Sequence, residues 1–342
     1  MSDKQSTVSN RKVRFTAPYE LAYESEELSP SAIGSRQVLV KTSRSLFSPG
    51  TELALYTGTH VGLADPANTF AKYPFYPGYA SVGEVIAAGG EAGGVQPGDI
   101  VYSDGRHAAY YVQNVHERSI LHRVPDGVLP ERAVFARLAA ISAASVVQAQ
   151  VKLGTKVAVY GMGLVGNLAA QLFGLLGAEV AAIDPVPMRL GVAKACGIPH
   201  AVNNDGGADV KEQLRAIWGA EPDIVVEATG VPELVNSAME LVRIHGQVVL
   251  LGSTRGMLTT DVYKLLFCKC ISVVGAHESG QGRHGLPTRH DITRYVLRMI
   301  AQGALRTDPL LTHTLPAERA DEAYELLLHR KNEALGVQLK WD

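Results

Sequence analysis

The chain is 342 residues long, beyond the roughly 250–300 at which one hydrophobic core stops growing, so two domains are expected. Hydrophobic residues make up 46% and charged residues 19%, which excludes a disordered chain. The formal net charge of −2 offers no basic field to nucleic acid or to an acidic membrane surface, and leaves a small-molecule substrate as the expected partner.

Met1 to Asn10 is polar, lacks the apolar run of a signal peptide, and reads as a tail. From Val13 to about Val124 the signals are β-like, with strands at Gln37–Lys41, Ser81–Ala87 and Asp99–Tyr102 punctuated by Gly and Pro, as in small barrels. The long connection Ser45–Pro77 carries most of the residues with chemical potential. Ala133–Gln150 is apolar at helical spacing, and from Lys156 strands and helices alternate. Strands are expected at Val157–Tyr160, Glu179–Ile183, Asp223–Glu227, Gln247–Leu251 and Ile271–Gly275. The helices between them run to about Leu176, over Met188–Ala195, near Val210–Trp218 and over Pro232–Val242. Apolar strands alternating with helices imply a parallel sheet covered on both faces. Glu278–His290 is polar and Gly-rich and reads as a surface loop. A helix near Asp291–Gln302 and a strand at Val337–Trp341 return the chain to the first domain. No run approaches the roughly 18 apolar residues of a membrane span. The cysteines, Cys196, Cys268 and Cys270, are too few for a disulfide framework and point to a reducing compartment, so a cytoplasmic location is expected.

The motif with the clearest chemistry is Gly161-Met-Gly163-Leu164-Val165-Gly166, between a strand and a helix. Gly161 permits the tight turn, Gly163 lets the backbone approach a pyrophosphate, and Gly166 lets helix and strand pack closely. The free N–H groups at the helix start, around Leu164 and Val165, then bind phosphate. Asp184 ends the next strand, 21 residues after Gly163, where a carboxylate holds the adenosine ribose hydroxyls. A carboxylate there repels a 2′-phosphate, so NAD is favoured over NADP, although nearby Arg189 could accommodate that phosphate. Ligands of such sheets lie beyond the carboxyl ends of the strands, so Glu227-Ala-Thr229-Gly230 and Leu251-Gly252-Ser253 are expected to flank the nicotinamide.

With the β-rich first domain and the C-terminal return, the chain resembles the medium-chain, zinc-alcohol-dehydrogenase-like dehydrogenases over nearly its whole length. The resemblance includes Ser48-Pro49-Gly50-Thr51-Glu52, Tyr76-Pro77-Gly78-Tyr79-Ala80 and Gln96-Pro97-Gly98-Asp99. It implies an α/β protein: a GroES-like β-barrel catalytic domain, 1–137 with 281–342, and a Rossmann doubly wound domain, 138–280. It also implies a nicotinamide-dependent oxidoreductase. Family dimers join sheets through the element matching Ile271–Gly275, and an apolar edge strand needs covering, so a homodimer is expected. The Ser-Pro-Gly-Thr-Glu segment is similar to a zinc-less branch that includes the bacteriochlorophyllide hydroxyethyl dehydrogenases.

The departures concern metal. Where zinc members read Cys-Gly-Thr-Asp this chain has Pro49-Gly50-Thr51-Glu52, and where they read Gly-His-Glu it has Gly78-Tyr79-Ala80. The third ligand falls near Ala136–Leu138, and Cys268-Lys-Cys270 is too isolated to form a structural site. A catalytic zinc needs about three Cys, His or carboxylate ligands, so no zinc is expected.

Without metal, a side chain must handle the hydroxyl proton and the developing alkoxide. Thr51 matches the family's proton-relaying hydroxyl. Tyr79 replaces a ligand histidine, and beside NAD⁺ its phenol is expected to titrate lower than usual. Glu52 joins the candidate set, chiefly as an acceptor that fixes the loop. His277 follows the strand that ends near the nicotinamide and could shuttle protons. His60 and His107 stand behind it, because loop histidines are often merely exposed. The reading is a zinc-independent NAD-dependent dehydrogenase of a secondary alcohol (polyol, cyclitol, sugar derivative or tetrapyrrole side chain). The alternatives are an NADPH-dependent enone or quinone reductase, a redox-neutral epimerase or lyase using bound NAD, and a non-catalytic NAD sensor.

Overall fold

The computed structural model describes residues 7–207 and 209–342. It divides into two compact units, Met1–Arg137 with Leu311–Asp342, and Leu138–Leu310.

In chain order the first unit has a hairpin of β1 (Val8–Ala17) and β2 (Glu20–Leu28), then β3 (Gln37–Leu46), helix α1 (Pro49–Tyr56), β4 (Ser81–Ala88), β5 (Ile100–Ser103), β6 (Tyr110–Asn114), β7 (Leu121–Arg123) and the single turn α2 (Pro130–Ala133). Helix α3 (Ala136–Gln148) begins at the division. The second unit continues with β8 (Lys156–Tyr160), α4 (Leu164–Leu175), β9 (Glu179–Ile183), α5 (Pro187–Ala195), β10 (His200–Val202), α6 (Val210–Trp218), β11 (Ile224–Glu227), α7 (Pro232–Leu241), β12 (Gln247–Leu250), β13 (Ser272–Gly275) and α8 (Arg289–Ala301). β14 (Leu311–Pro316), α9 (Ala320–His329) and β15 (Gly336–Lys340) then complete the first unit.

The first unit's main sheet runs β14-β15-β3-β4-β5-β7, with β6 also on β3. Antiparallel pairing of Leu339 with Ser45 sets the last strand beside the end of β3, just before α1 begins. Pro49 opens α1 at the position where a missing N–H costs nothing. The core is aromatic: Tyr324 from α9 stands edge-on to Phe15 and Phe47, with ring centroids 5.0 and 4.8 Å away.

The second unit's six strands are all parallel, in the order β10-β9-β8-β11-β12-β13. Counted from β8 this is 3-2-1-4-5-6, the Rossmann order, which reverses between β8 and β11. Successive residues serve opposite layers. Val157, Val159, Val180 and Val226 enter one core, and Ala158, Tyr160, Ala181 and Val225 the other. That two-sided burial explains why the strands read as unbroken apolar runs.

Two expectations change. Val8–Asn10, read as part of a tail, belongs to β1, and the buried Asn10 side chain accepts the Tyr110 N–H at 2.8 Å; residues 1–6 lie outside the described ones. The segment 281–310, assigned to the barrel from sequence, belongs to the second unit. Side-chain and backbone bonds hold it there. Gln171 of α4 accepts the Arg306 N–H at 2.7 Å and donates to the Arg306 carbonyl at 3.1 Å, and Gln281 donates to the Ala140 carbonyl at 3.2 Å.

Candidate active site

The glycine turn after β8 has three different tasks. Gly161 sits at φ +90, and a Cβ there would lie 2.7 Å from the Thr229 methyl, so the loops after β8 and β11 touch at the reversal point. A Cβ on Gly166 would lie 1.8 Å from the Gly161 carbonyl oxygen, so helix and turn are in backbone contact. Gly163 faces open space within 4 Å and N-caps α4 with no side-chain cap, leaving the first-turn N–H groups of Leu164 and Val165 directed outward. These residues fit a pyrophosphate.

Asp184 closes β9, buried at 2% exposure. Its two oxygens accept the N–H groups of Met162 (2.7 Å) and Val186 (2.8 Å), and Arg189 lies 3.7 Å away. The carboxylate thus braces the glycine turn. Glu227, fully buried at the end of β11 and singled out in the sequence only as a flank of the nicotinamide, is a hub. One oxygen accepts the Thr229 N–H at 2.6 Å, the Gly230 N–H at 3.0 Å and the Thr229 hydroxyl, and the other accepts the Thr254 hydroxyl at 3.1 Å. One carboxylate therefore fixes the loops that carry Thr229, Gly252 and Ser253.

In the first unit, Thr51, Glu52 and Tyr79 are brought together with two residues of little weight in the sequence, Ser48 and His107. Glu52 is 1% exposed. It accepts the Ser48 N–H on one oxygen at 2.8 Å, and Tyr324 O–H (2.7 Å) and His107 Nε2 (3.0 Å) on the other. A carboxylate acceptor puts the His107 proton on Nε2, so Nδ1 accepts from the Ser45 hydroxyl at 2.7 Å; Ser45 in turn accepts from Trp341 Nε1 at 2.8 Å. Every member of the chain is satisfied, which is the condition for burying it. Gly78 makes room: at φ +91, a Cβ there would sit 2.5 Å from the His107 backbone nitrogen.

The partly buried Tyr79 hydroxyl donates to Ser48 Oγ and also engages Thr51. Loss of water around the phenol, and then the Glu52 charge, push its pKa above the ordinary tyrosine value; the Ser48 and Thr51 contacts and Arg137 pull the other way without prevailing. Without cofactor the shift is upward, so Tyr79 is a hydrogen-bond donor at neutral pH. Arg137, from the stretch where a third metal ligand would fall, places its guanidinium carbon 5.2 Å from the Tyr79 ring centroid and its Nε 3.6 Å from Asp104. These residues do not fit a catalytic zinc. Pro49 offers no donor, the Tyr79 oxygen is engaged with Ser48, and a guanidinium would repel the dication. Among the described residues no group of three His, Cys, Asp or Glu side chains could hold a metal ion.

His277 belongs to the second unit and is exposed. Its Nδ1 accepts the Ser279 N–H at 3.2 Å, so it caps a short turn (Glu278–Gly280). His60 caps another, accepting from Gly62 N–H at 3.1 Å. Among the described residues no helix is long and apolar enough to cross a membrane.

Residues 165–301 match the model of a zinc-binding dehydrogenase family. The chain is 26% identical to sorbitol dehydrogenase of Gallus gallus over 70% of its own length and 64% of that protein, just under two thirds of the relative. It is 25% identical to L-threonine 3-dehydrogenase of Pyrococcus furiosus over 99% of this chain and 100% of that one. The solved structure of alcohol dehydrogenase TADH from Thermus sp. ATN1 superposes with a TM-score of 0.78 at 25% identity, covering 97% and 100% of the two chains. Together with a Rossmann sheet that carries its glycine turn and the barrel unit beside it in sequence, these likenesses make the chain similar to the zinc-type medium-chain dehydrogenase/reductase superfamily of oxidoreductases.

Proposed function

We propose that the protein is a zinc-independent, NAD-dependent dehydrogenase that interconverts a secondary alcohol and its ketone, on a polyol, cyclitol, sugar derivative or tetrapyrrole side chain. The observation that carries the reading is the Tyr79–Ser48 hydroxyl pair, standing where the zinc relatives place a metal ligand. When bound, the dinucleotide accepts or supplies the hydride. The second unit holds it: first-turn N–H groups of α4 take the pyrophosphate, and Asp184 takes the ribose hydroxyls and disfavours a 2′-phosphate. The first unit handles the proton. Ser48 and Thr51 hydroxyls both donate and accept, so either passes a proton between the substrate oxygen and Tyr79. Glu52 and His107 stay in the protein interior and fix the backbone of Ser48.

The partner is a small molecule, and the location is the cytoplasm, in keeping with three unpaired cysteines. A homodimer is part of the reading: β13 is the edge of the parallel sheet, pairs with β12 alone among the described residues, and follows in sequence the exposed Tyr263 and Phe267.

The test is a screen of secondary alcohols with NAD⁺ and NADP⁺, read by absorbance of the reduced nicotinamide. It is run with and without a zinc chelator, with metal analysis of the same sample. NAD-dependent turnover indifferent to the chelator is expected. Turnover that requires zinc, or a preference for NADP⁺, overturns the corresponding part.

A further inference from the structure

The polar residues of the first unit include one cation with no role in the proton path from Ser48 and Thr51 to Tyr79. Arg137 is buried, at 7% exposure, and comes from the first turn of α3. Its guanidinium lies over the face of Tyr79, 5.2 Å from the centroid, and its Nε lies 3.6 Å from Asp104 Oδ1. Burying a cation is costly, and a surface salt bridge would have served structure more cheaply. A guanidinium against the ring face attracts the π-system and attracts a phenolate far more strongly.

We propose that Arg137 is the positive charge that replaces the metal's in this branch, acting through Tyr79: it stabilises the phenolate left when Tyr79 gives up its proton by way of Ser48. The inference rests on the ketone–alcohol reading of the function. In the reducing direction, the carbonyl carbon would gain a hydride, with its electron pair, supplied by a bound reduced nicotinamide. The carbonyl oxygen takes the Ser48 proton as its π bond breaks, and Ser48 takes the Tyr79 proton. Tyr79 is left as phenolate and is reprotonated from solvent. Arg137 touches no reacting atom, so it is a positioning residue. The charged groups around Tyr79 are balanced for this use. Glu52 and burial keep the phenol protonated while it waits to donate, and Arg137 limits the cost once the proton has gone.

The test reads Tyr79 directly. A ring-fluorinated tyrosine is placed at position 79, bringing the phenol's titration into the range where the protein is folded, and its ¹⁹F signal is followed against pH in the parent, R137M and R137K. R137M is expected to raise the midpoint by about one pH unit or more, and R137K to stay near the parent, since it keeps the charge. The double variant D104N/R137M strands no carboxylate and gives the same readout if R137M folds poorly. An unchanged midpoint in both Met variants overturns the proposal. The titration needs neither cofactor nor substrate, so its outcome is separate from that of the substrate screen. A raised midpoint in a protein that turns over no alcohol leaves Arg137 assigned and the reaction misread. Turnover with an unchanged midpoint does the reverse.

Discussion

His107 Nε2 and Glu52 Oε2 meet at 3.0 Å, with both side chains cut off from water. The same Glu52 carboxylate also accepts from the Tyr324 hydroxyl and from the Ser48 N–H. Removing it strands three buried donors. Glu52→Ala is expected to lose about 3–5 kcal/mol of stability, and Glu52→Gln, which keeps one carbonyl acceptor, about 1–3 kcal/mol. Urea melts measure both, and an alanine variant as stable as the parent would show that the hub is not needed for folding.

The glycine turn separates folding from binding. Gly166→Ala places a methyl 1.8 Å from a backbone oxygen, so the protein is expected to melt much earlier or not to fold. Gly163→Ala meets no atom within 4 Å and is expected to keep the parental melting temperature. Its methyl stands where the pyrophosphate must approach, so NADH affinity should fall about tenfold or more, a loss of about 1.4 kcal/mol. Melting curves and NADH fluorescence titrations check the pair, and parental affinity in the Gly163 variant would place the phosphates elsewhere.

Asp184 has two duties, and two substitutions distinguish them. Asp184→Asn retains one carbonyl oxygen for the Met162 or Val186 N–H but loses the charge, so it is expected to bind NADH more weakly and to tolerate NADPH better. Asp184→Ala loses the brace as well and is expected to lower the melting temperature too. Equal NADH affinity in the parent and both variants would remove the carboxylate from the cofactor site.

Alkaline pH should unfold the protein through its buried tyrosines. Burial pushes Tyr160 up to about 12, and burial followed by the Glu52 charge holds Tyr324 well above the ordinary value. Phenols whose folded pKa is raised favour the folded state while the unfolded chain is still protonated. Their contribution is therefore complete below about pH 10 and is lost as pH climbs through the folded values. The urea midpoint should be insensitive to tyrosine ionisation at neutral pH and fall steadily above about pH 10. Tyr160→Phe should reduce that slope. An absorbance titration in which every tyrosine ionises before unfolding would contradict this.

The Rossmann half is legible in the sequence because its signals are local. Alternating burial turns each strand into a short apolar run, and the close spacing of Gly161, Gly163 and Gly166 marks a turn by itself. The barrel half is less so. The hairpin β1–β2 turns through Tyr19 at φ 62 rather than through a glycine, and β2 carries four glutamates and is largely exposed, so neither signal of a strand pair is present. Helix α1 has eight residues, too few to show a period, and begins Pro-Gly, which reads as a turn. His107 follows Gly105 and Arg106 and reads as an exposed loop histidine. It is enclosed by groups 55 and 62 positions away, Glu52 and Ser45, which no window of sequence brings together. Arg137 gives no signal for the same reason, since its meaning comes from Tyr79 and Asp104. His277 goes the other way: its place after β13 suggests chemistry, and its side chain caps a turn.

Ser45 and the indole of Trp341 that donates to it are 296 positions apart. On a ribosome, the hydroxyl that seats His107 is therefore made long before its partner. The parallel sheet and its helices, all encoded between them, can form during that delay. The barrel's polar chain has to stay open until the final strand arrives beside β3. A variant that destabilises the Rossmann unit should thus lengthen the time during which an unsealed histidine–glutamate pair is open to solvent and to chaperones.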